Sequence, residues 1–384
     1  MKQANLGRGL FILAMAIFFG YRYFSSGGTL YLAFMVALVA LGMVSLLNYL
    51  PSQWQVATLN VGITLFFLDF VFANINLNEF AKALMQANYW MLIPSAILVL
   101  VHLYFRAVRW QWLLKPMGEV PFWPAFRAMS IGLAGNIVFP AKAGEFLRAY
   151  VLGRSVGLAK TAVFATLVVE RIFDGMTILF FLVMVIVFGV NDPLLQRAGI
   201  VGSVVYVGAI IALITFVKKR HWTDALVNRW LPPHLAQRLL KLLDGFYSGL
   251  NILKNPRQLA MVLLLSVATW LFIPFSFWAG LLAFNFGVPI LWQTPTMMLC
   301  IIALGLTLPS TPGGLGVFQA GVKVGLVLTL NQSKVVANFD EVAGAASIVV
   351  HVAQLIPQLI PGFISFWAEG LSTSEINVGQ MDKG

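Results

Sequence analysis

Long apolar runs set the terms for this chain. A helix needs about 20 apolar residues to cross a hydrocarbon core about 30 Å thick. Stretches that meet or approach that length fall at Leu6–Phe24, Thr29–Leu50, Val56–Ala73, Trp90–Phe105, Thr161–Val190, Ile200–Val217, Leu259–Phe286 and Val342–Trp367. Of the 384 residues 60% are hydrophobic and 10% charged, against about 45–50% and about 25% in a soluble domain. The chain therefore reads as an all-α polytopic membrane protein with about eight transmembrane helices. Its longest polar stretch, Lys218 to Gln258, is about 40 residues, near the lower limit for folding alone, which excludes a separate soluble catalytic domain. That stretch predicts one or two amphipathic helices at the cytoplasmic face, held by anionic headgroups. A lone Cys300 makes no disulfide framework. His102, His221, His234 and His351 have no zinc-ligand spacing, so neither metal nor cofactor is expected.

Two further apolar segments are too short to span. Pro124–Phe139 contains Gly132, Gly135 and Asn136 and runs into Pro140, Lys142 and Gly144; Thr294–Leu308 runs into Pro309, Pro312, Gly313, Gly314 and Gly316. Each is followed by a second short helical segment, Glu145–Leu152 and Val317–Leu330. Both read as re-entrant helical hairpins with broken backbone at the tip, an arrangement tolerated at membrane depth only inside protein or beside a wet cavity. With the N- and C-termini cytoplasmic, 18 of the 25 Lys and Arg fall on the cytoplasmic side and four outside, the positive-inside bias of a plasma-membrane protein. The net charge of +11 is thus an orientation signal rather than the basic face of a nucleic-acid binder. Lys2, Arg8, an apolar run and Ser25-Ser26-Gly27 resemble a signal peptide, but another span follows at once, so residues 1–55 read as an uncleaved N-terminal hairpin. Residues 56–370 form the core, and the polar tail 371–384 reads as disordered.

The two breaks share Pro, then Gly four residues on, then Phe six on: Pro140, Gly144 and Phe146 against Pro312, Gly316 and Phe318. The first would enter from the cytoplasm and the second from outside. That is an inverted-topology repeat, the arrangement that places transporter sites between discontinuous helices.

Ionisable groups inside spans cost about 2.5–3.5 kcal/mol each on insertion scales and mark function. His102, Arg106 and Arg109 lie at i, i+4 and i+7 on one face, with Trp110 at an interfacial depth. Asn136, Lys142, Glu145 and Arg148 surround the first break, where Glu145 and Arg148 are spaced to pair along the helix. Glu170, Arg171 and Asp174 sit well inside Thr161–Val190, and must face protein or water and pair with Arg106, Arg109 or Arg148. The second half is milder: Gln319 and Lys323 after its break, His351 and Gln354 on the last span. Arginines around a broken helix suit a phosphate, to whose oxygens they offer bidentate hydrogen bonds.

Arg106-x-x-Arg109-Trp110, Asn136-x-x-x-Pro140-x-x-x-Gly144-Glu145-x-x-Arg148, Glu170-Arg171-x-x-Asp174 and Pro309-x-x-Pro312-Gly313-Gly314-x-Gly316 resemble the flippase-like membrane family named after the transmembrane region of lysylphosphatidylglycerol synthase. The resemblance covers roughly residues 56–370. It implies a lipid-translocating domain with two re-entrant hairpins, whose best-known members move an aminoacylated anionic phospholipid to the outer leaflet. Others accompany glycolipid, hopanoid or polyprenyl-linked sugar pathways. The synthase's soluble aminoacyl-transferase domain has no counterpart here, and Gln319 stands where the family leads one to expect Glu.

The expectation is a flippase or scramblase, not an enzyme, that passes an anionic or polyprenyl-linked lipid headgroup between leaflets. Arg106, Arg109, Arg148 and Lys142 would hold the phosphate; Asn136, Glu145, Glu170, Arg171, Asp174, Gln319, Lys323 and His351 would line the same cavity. Pro140, Gly144, Pro309, Pro312, Gly313, Gly314 and Gly316 would shape the broken backbone. Expected partners are the membrane lipid, a lipid-modifying enzyme or glycosyltransferase, and further copies of the chain. An intramembrane lipid-phosphate transferase or hydrolase using Glu145 or Glu170 as base, and a small-anion secondary transporter, are the alternatives.

Overall fold

A computed structural model of the protein describes residues 2–47, 49–139, 142–188, 219–249, 255–307, 311–330 and 333–370, with scattered positions between 193 and 215. Every regular element among the described residues is helical. In chain order these are α1 (Lys2–Ser26), α2 (Thr29–Leu46), α3 (Ser52–Phe72), α4 (Leu77–Gln86), α5 (Leu92–Leu114), α6 (Phe122–Val138), α7 (Gly144–Val156) and α8 (Lys160–Val187). There follow α9 (Arg220–Trp230), α10 (Pro233–Gly249), α11 (Pro256–Leu281), α12 (Gln293–Gly305), α13 (Val317–Thr329) and α14 (Phe339–Ala368). Among the described residues six segments are long and apolar enough to cross a bilayer: Leu6–Ser26, Thr29–Leu46, Ser52–Phe72, Tyr89–Met117, Pro256–Leu281 and Phe339–Ala368. The protein is a multi-pass membrane protein.

Helix α8, with 28 residues, is about 42 Å long at about 1.5 Å per residue. It has the length of a span but carries Glu170, Arg171 and Asp174 near its middle. Eight of the 18 residues of the expected span Ile200–Val217 lie outside the described residues, as do Pro140, Pro309 and the tail 371–384.

Where the helices differ from the sequence reading, the reasons are local. Trp90–Phe105 proves too short, because α5 runs on to Leu114 and carries Arg106 and Arg109 in its interior. The charges that end an apolar run do not end a helix of good helix formers. Helix α4 was not anticipated. Asn76 caps it by accepting from the amides of Asn78 and Glu79, and its buried Ala83 helps pack it against α14. Helices α9 and α10 occupy the polar stretch, and α10 lies against α8 with Ala236 and Tyr247 buried.

The N-terminal helices have their own apolar packing around Ile12, Ala16, Phe19 and Ile63. They are tied to α3 by an ion pair, Arg22 Nε to Asp69 Oδ2 at 2.9 Å, and by the Tyr31 hydroxyl, which donates to Asp69 Oδ1 at 2.6 Å. Asp69 is thus part of a helix–helix tie.

The two short helix pairs are built alike. In α6–α7 the chain turns back so that Gly132 faces Arg148 and Gly135 faces Gly144; in α12–α13 Gly321 faces Ile302 and Gly325 faces Met298. Small residues let antiparallel backbones approach where apolar solvent supplies no driving force for association. Neighbour relations in the two halves also correspond. Helices α5, α6, α7 and α8 touch in the order in which α11, α12, α13 and α14 touch. Across the halves, α6 packs on α14 and α12 on α8, while α5 packs on α14 and α11 on α8. Helices α5 and α11 cross antiparallel: Ser95 meets Ser276, His102 meets the Thr269 carbonyl and Arg109 meets Ser266. Gln354 of α14 extends this polar seam by donating to Ser276 Oγ at 2.6 Å.

A Cβ at position 144 would collide with the Gly132 carbonyl and with Asn136. Gly144→Leu is expected to destabilise the protein by about 1–3 kcal/mol through overpacking, read as a lower thermal unfolding midpoint in detergent. Gly7→Ala, where a Cβ meets nothing within 4 Å, should not lower that midpoint, since alanine favours a helix interior over glycine by about 0.5–1 kcal/mol.

Candidate functional site

The stripe of α5, the inner face of α7 and the middle of α8 converge on one carboxylate. Glu170 is fully buried. Its Oε1 lies 2.9 Å from Arg106 Nη2, 3.3 Å from Arg109 Nη2 and 2.9 Å from Arg171 Nη2, and its Oε2 lies 2.9 Å from Arg148 Nη2. One helical turn on, Asp174 accepts from Arg109 Nη1 at 2.6 Å and from the Trp270 indole at 2.7 Å. Arg109 Nη1 also donates to Ser266 Oγ at 3.1 Å. Glu170 and Asp174 meet the same partners because residues four apart share a helix face. Arg171 points elsewhere on the helix, but its long side chain folds back to reach Glu170, with Asp174 at 3.5 Å and Glu145 at 3.6 Å.

Two expectations about this cluster are corrected. Arg148 does not pair with Glu145 along α7; it turns to Glu170, the more deeply buried acid, and lies 3.7 Å from the ring centre of Trp110. Glu145 is instead held by Arg171 and by Asn136 Nδ2 at 3.4 Å. Trp110 is not at an interface but fully buried, its indole donating to Thr166 Oγ1 at 3.0 Å. A guanidinium over a desolvated indole face is stabilised by about 2 kcal/mol, and this fixes the plane that Arg148 presents. His102, at the end of the stripe, donates Nδ1–H to the Thr269 carbonyl at 2.8 Å.

Lys142, Gln319, Lys323 and His351 do not join the cluster. Lys142 is exposed at the first break and adopts a left-handed backbone, φ 54°, an uncommon and strained state for a residue with a side chain. The second break carries a neutral set. Gln319 Nε2 donates to His351 Nδ1 at 3.0 Å, His351 Nε2–H donates to the Gly313 carbonyl at 3.0 Å, and the Gly316 amide donates to Gln319 Oε1 at 2.7 Å. The imidazole stacks on Phe318 at 4.1 Å. Gly313, Gly314 and Gly316 all have positive φ, between 70° and 79°, a conformation that glycine alone adopts without strain. Pro312 opens the one-turn 3₁₀ segment Pro312–Gly314, and Thr311, just before it, meets Thr64 of α3 at 3.0 Å. Lys323 leaves the site altogether for Asp340, at 2.9 Å. The tips of the two breaks nevertheless meet, with Gly313 packed on Ile137 at the end of α6.

Ser266, Thr269 and Trp270 on α11 escaped the sequence reading because none is ionisable. Their only signal was a polar ridge in an otherwise apolar run. Above the cluster an apolar groove of about 330 Å³ opens between α8, α11 and α12, lined by Phe180, Phe181, Pro274, Phe275, Trp278 and Trp292. No group of three or more His, Cys, Asp or Glu side chains able to hold a metal ion occurs among the described residues.

Residues 54–362 match the family model described as the lysylphosphatidylglycerol synthase TM region. A UPF0104 membrane protein of Methanocaldococcus jannaschii is 22% identical over 335 residues, covering 84% of this chain and 96% of that protein. One from Methanothermobacter thermautotrophicus is 24% identical over 307 residues, 75% and 85% of the two chains. The glycosyltransferase AglD of Haloferax volcanii is 25% identical over 280 residues, which is 64% of this chain and 45% of that protein.

Removing one partner from a buried ionic network leaves the others unpaired, at a cost of about 3–5 kcal/mol. Glu170→Gln should therefore lower stability by that amount in thermal unfolding of the detergent-solubilised protein. Arg171→Gln, whose side chain is 47% exposed, should cost under about 1 kcal/mol. Equal losses would contradict the central place of Glu170.

Proposed function

Since the chain belongs to the lysylphosphatidylglycerol synthase transmembrane-region family, we propose that it is a flippase or scramblase that passes the headgroup of an anionic lipid between leaflets. The observation that carries this reading is the cluster on Glu170. Three buried arginines inside a membrane protein are costly unless they face protein, water or an anion, and guanidinium groups are the side chains best shaped for phosphate oxygens. In the closed arrangement Glu170 and Asp174 stand in for the phosphate. An arriving headgroup takes over some of their hydrogen bonds.

The remaining geometry supports the same reading. The swapped contacts of the two halves and the antiparallel crossing of α5 and α11 support an inverted repeat in which α6–α7 and α12–α13 are re-entrant hairpins. Rocking one half against the other opens the cluster to one leaflet and then the other. The neutral clamp Gly313–His351–Gln319–Gly316 keeps the second break rigid during that motion. Lipid tails remain in the hydrocarbon phase, and the aromatic groove between α8, α11 and α12 guides one of them along Phe275 and Trp278. The positive-inside bias supports a plasma-membrane protein with both termini in the cytoplasm. That the same helical unit forms part of a glycosyltransferase supports including glycosylated lipids among the headgroups.

The test is a leaflet assay in proteoliposomes with a fluorescent anionic phospholipid. The wild type should expose the probe to a membrane-impermeant quencher faster than protein-free vesicles. Arg148→Lys keeps the charge but loses the planar fork and the stacking on Trp110. Loss of one charge-assisted hydrogen bond, about 1.5–3 kcal/mol, should slow exchange about ten- to hundredfold. Exchange no faster than in empty vesicles, across phospholipid and glycolipid probes, would refute the proposal.

A further inference from the structure

The charge of the buried cluster selects among anions. Arg106, Arg109 and Arg148 are at most 6% exposed, as are Glu170 and Asp174: three positive charges against two negative, one positive in excess. At the rim, Arg171 and Glu145 have side chains 47% and 19% exposed and cancel each other. Neighbours that complete the shell, Ser266, Trp270, Thr166, Trp110 and Asn136, are neutral, and His102 is counted here as the neutral imidazole. The excess is therefore one charge whether or not the rim is included.

Hydrogen bonding inside the cluster is also incomplete, with donors in surplus. The nitrogens buried without a hydrogen-bond partner are Nε of Arg106, Arg109 and Arg148 and Nη2 of Arg109 and Arg148, against the oxygens Glu170 Oε2 and Asp174 Oδ2, with Asn136 Oδ1 and Glu145 Oε2 at the rim. Buried donors are almost always satisfied. One unneutralised charge in a desolvated site is likewise unfavourable, and a second anionic charge on the ligand would restore the imbalance with opposite sign.

We infer that the cluster is selective for a phosphodiester, whose single negative charge completes its neutrality, over a phosphomonoester or a diphosphate. A diester carries one charge on two non-bridging oxygens at any physiological pH, whereas a monoester, with a second pKa of about 6, is close to doubly charged above neutrality. Glycerophospholipids with an esterified headgroup and lipids joined to a sugar by one phosphate share this chemistry, as does a water-soluble phosphodiester. The inference rests on the anion-site reading above and adds to it the charge of the ligand.

The experiment measures lipid binding to the full-length protein in detergent at pH 8.5 by native mass spectrometry. Dioleoylphosphatidylglycerol is compared with dioleoylphosphatidate, which has the same tails but a monoester headgroup. The diester should bind at least about tenfold tighter, a modest figure for one unbalanced charge a few ångström away at an effective dielectric of about 20. Asp174→Asn, which raises the buried excess to two, should shift the preference toward phosphatidate. Should that variant fail to fold, Arg106→Gln, which removes the excess, should weaken phosphatidylglycerol binding and leave no preference for the diester over an uncharged diacylglycerol. Competition by glycerophosphoglycerol but not by glycerol 3-phosphate would support the selectivity with a soluble source, and competition by neither would support it with a lipid source. Equal or tighter binding of phosphatidate to the wild type would overturn the charge assignment while leaving an anion site in place. Binding of neither lipid would overturn both.

Discussion

A carboxylate with no access to water, approached by four guanidinium groups, organises the centre of this protein. In a medium that solvates charge poorly, Glu170 can be ionised only because Arg106, Arg109 and Arg148 reach it, with the half-exposed Arg171 beside them, and the three buried arginines can be buried only because it is there. The constraint is mutual. It fixes how α5, α7 and α8 stand relative to one another, since each supplies a member that the others cannot do without. Asp174 and Trp270 then bring α11 into the same network. The hydrocarbon surroundings that make these groups expensive one by one are what make their association specific.

The two halves share a pattern of helix contacts but not their chemistry. Around the first break the polar groups are ionised and in excess of one sign; around the second they form a closed, neutral chain from Gly313 through His351 and Gln319 to Gly316. Gln319 explains part of this difference. Its amide offers one donor and one acceptor, so it satisfies the imidazole and the Gly316 amide together with no net charge. A carboxylate there could only accept, and would require a proton on the imidazole nitrogen that now accepts from it. The proposed headgroup site thus lies to one side of the place where the breaks meet, not at their midpoint.

Much of this was legible in the residues. Ionisable groups in apolar runs had to be buried together, and Arg106, Arg109, Arg148, Glu170 and Asp174 are. Glycines bunched after a short apolar run had to mark a turn, and those at 313, 314 and 316 occupy positive φ. What failed was assignment of partners. Spacing along α7 favoured Glu145 with Arg148, but burial outweighs proximity in sequence: the deeper acid takes the cation that can be stacked and desolvated, and the half-exposed Arg171 is left for Glu145. Lys323 was grouped with the cavity for its helix, though its side chain extends toward Asp340. Helix α4 was hidden because ten residues of amphipathic helix leave no mark on a scale tuned to spans.

By itself, then, the order of apolar and charged residues determined that this chain lies in a membrane, where its helices break and which side chains cannot face lipid. Each of these follows from the cost of exposing one residue type to one solvent, and needs no knowledge of neighbours. Only the tertiary structure decided which cations meet which acids, that Trp110, Ser266 and Trp270 complete the shell, and that one positive charge is left over. Those outcomes depend on distances between helices far apart in sequence, and pairwise electrostatics in a poorly solvating interior changes over a few ångström, a scale that residue order does not encode.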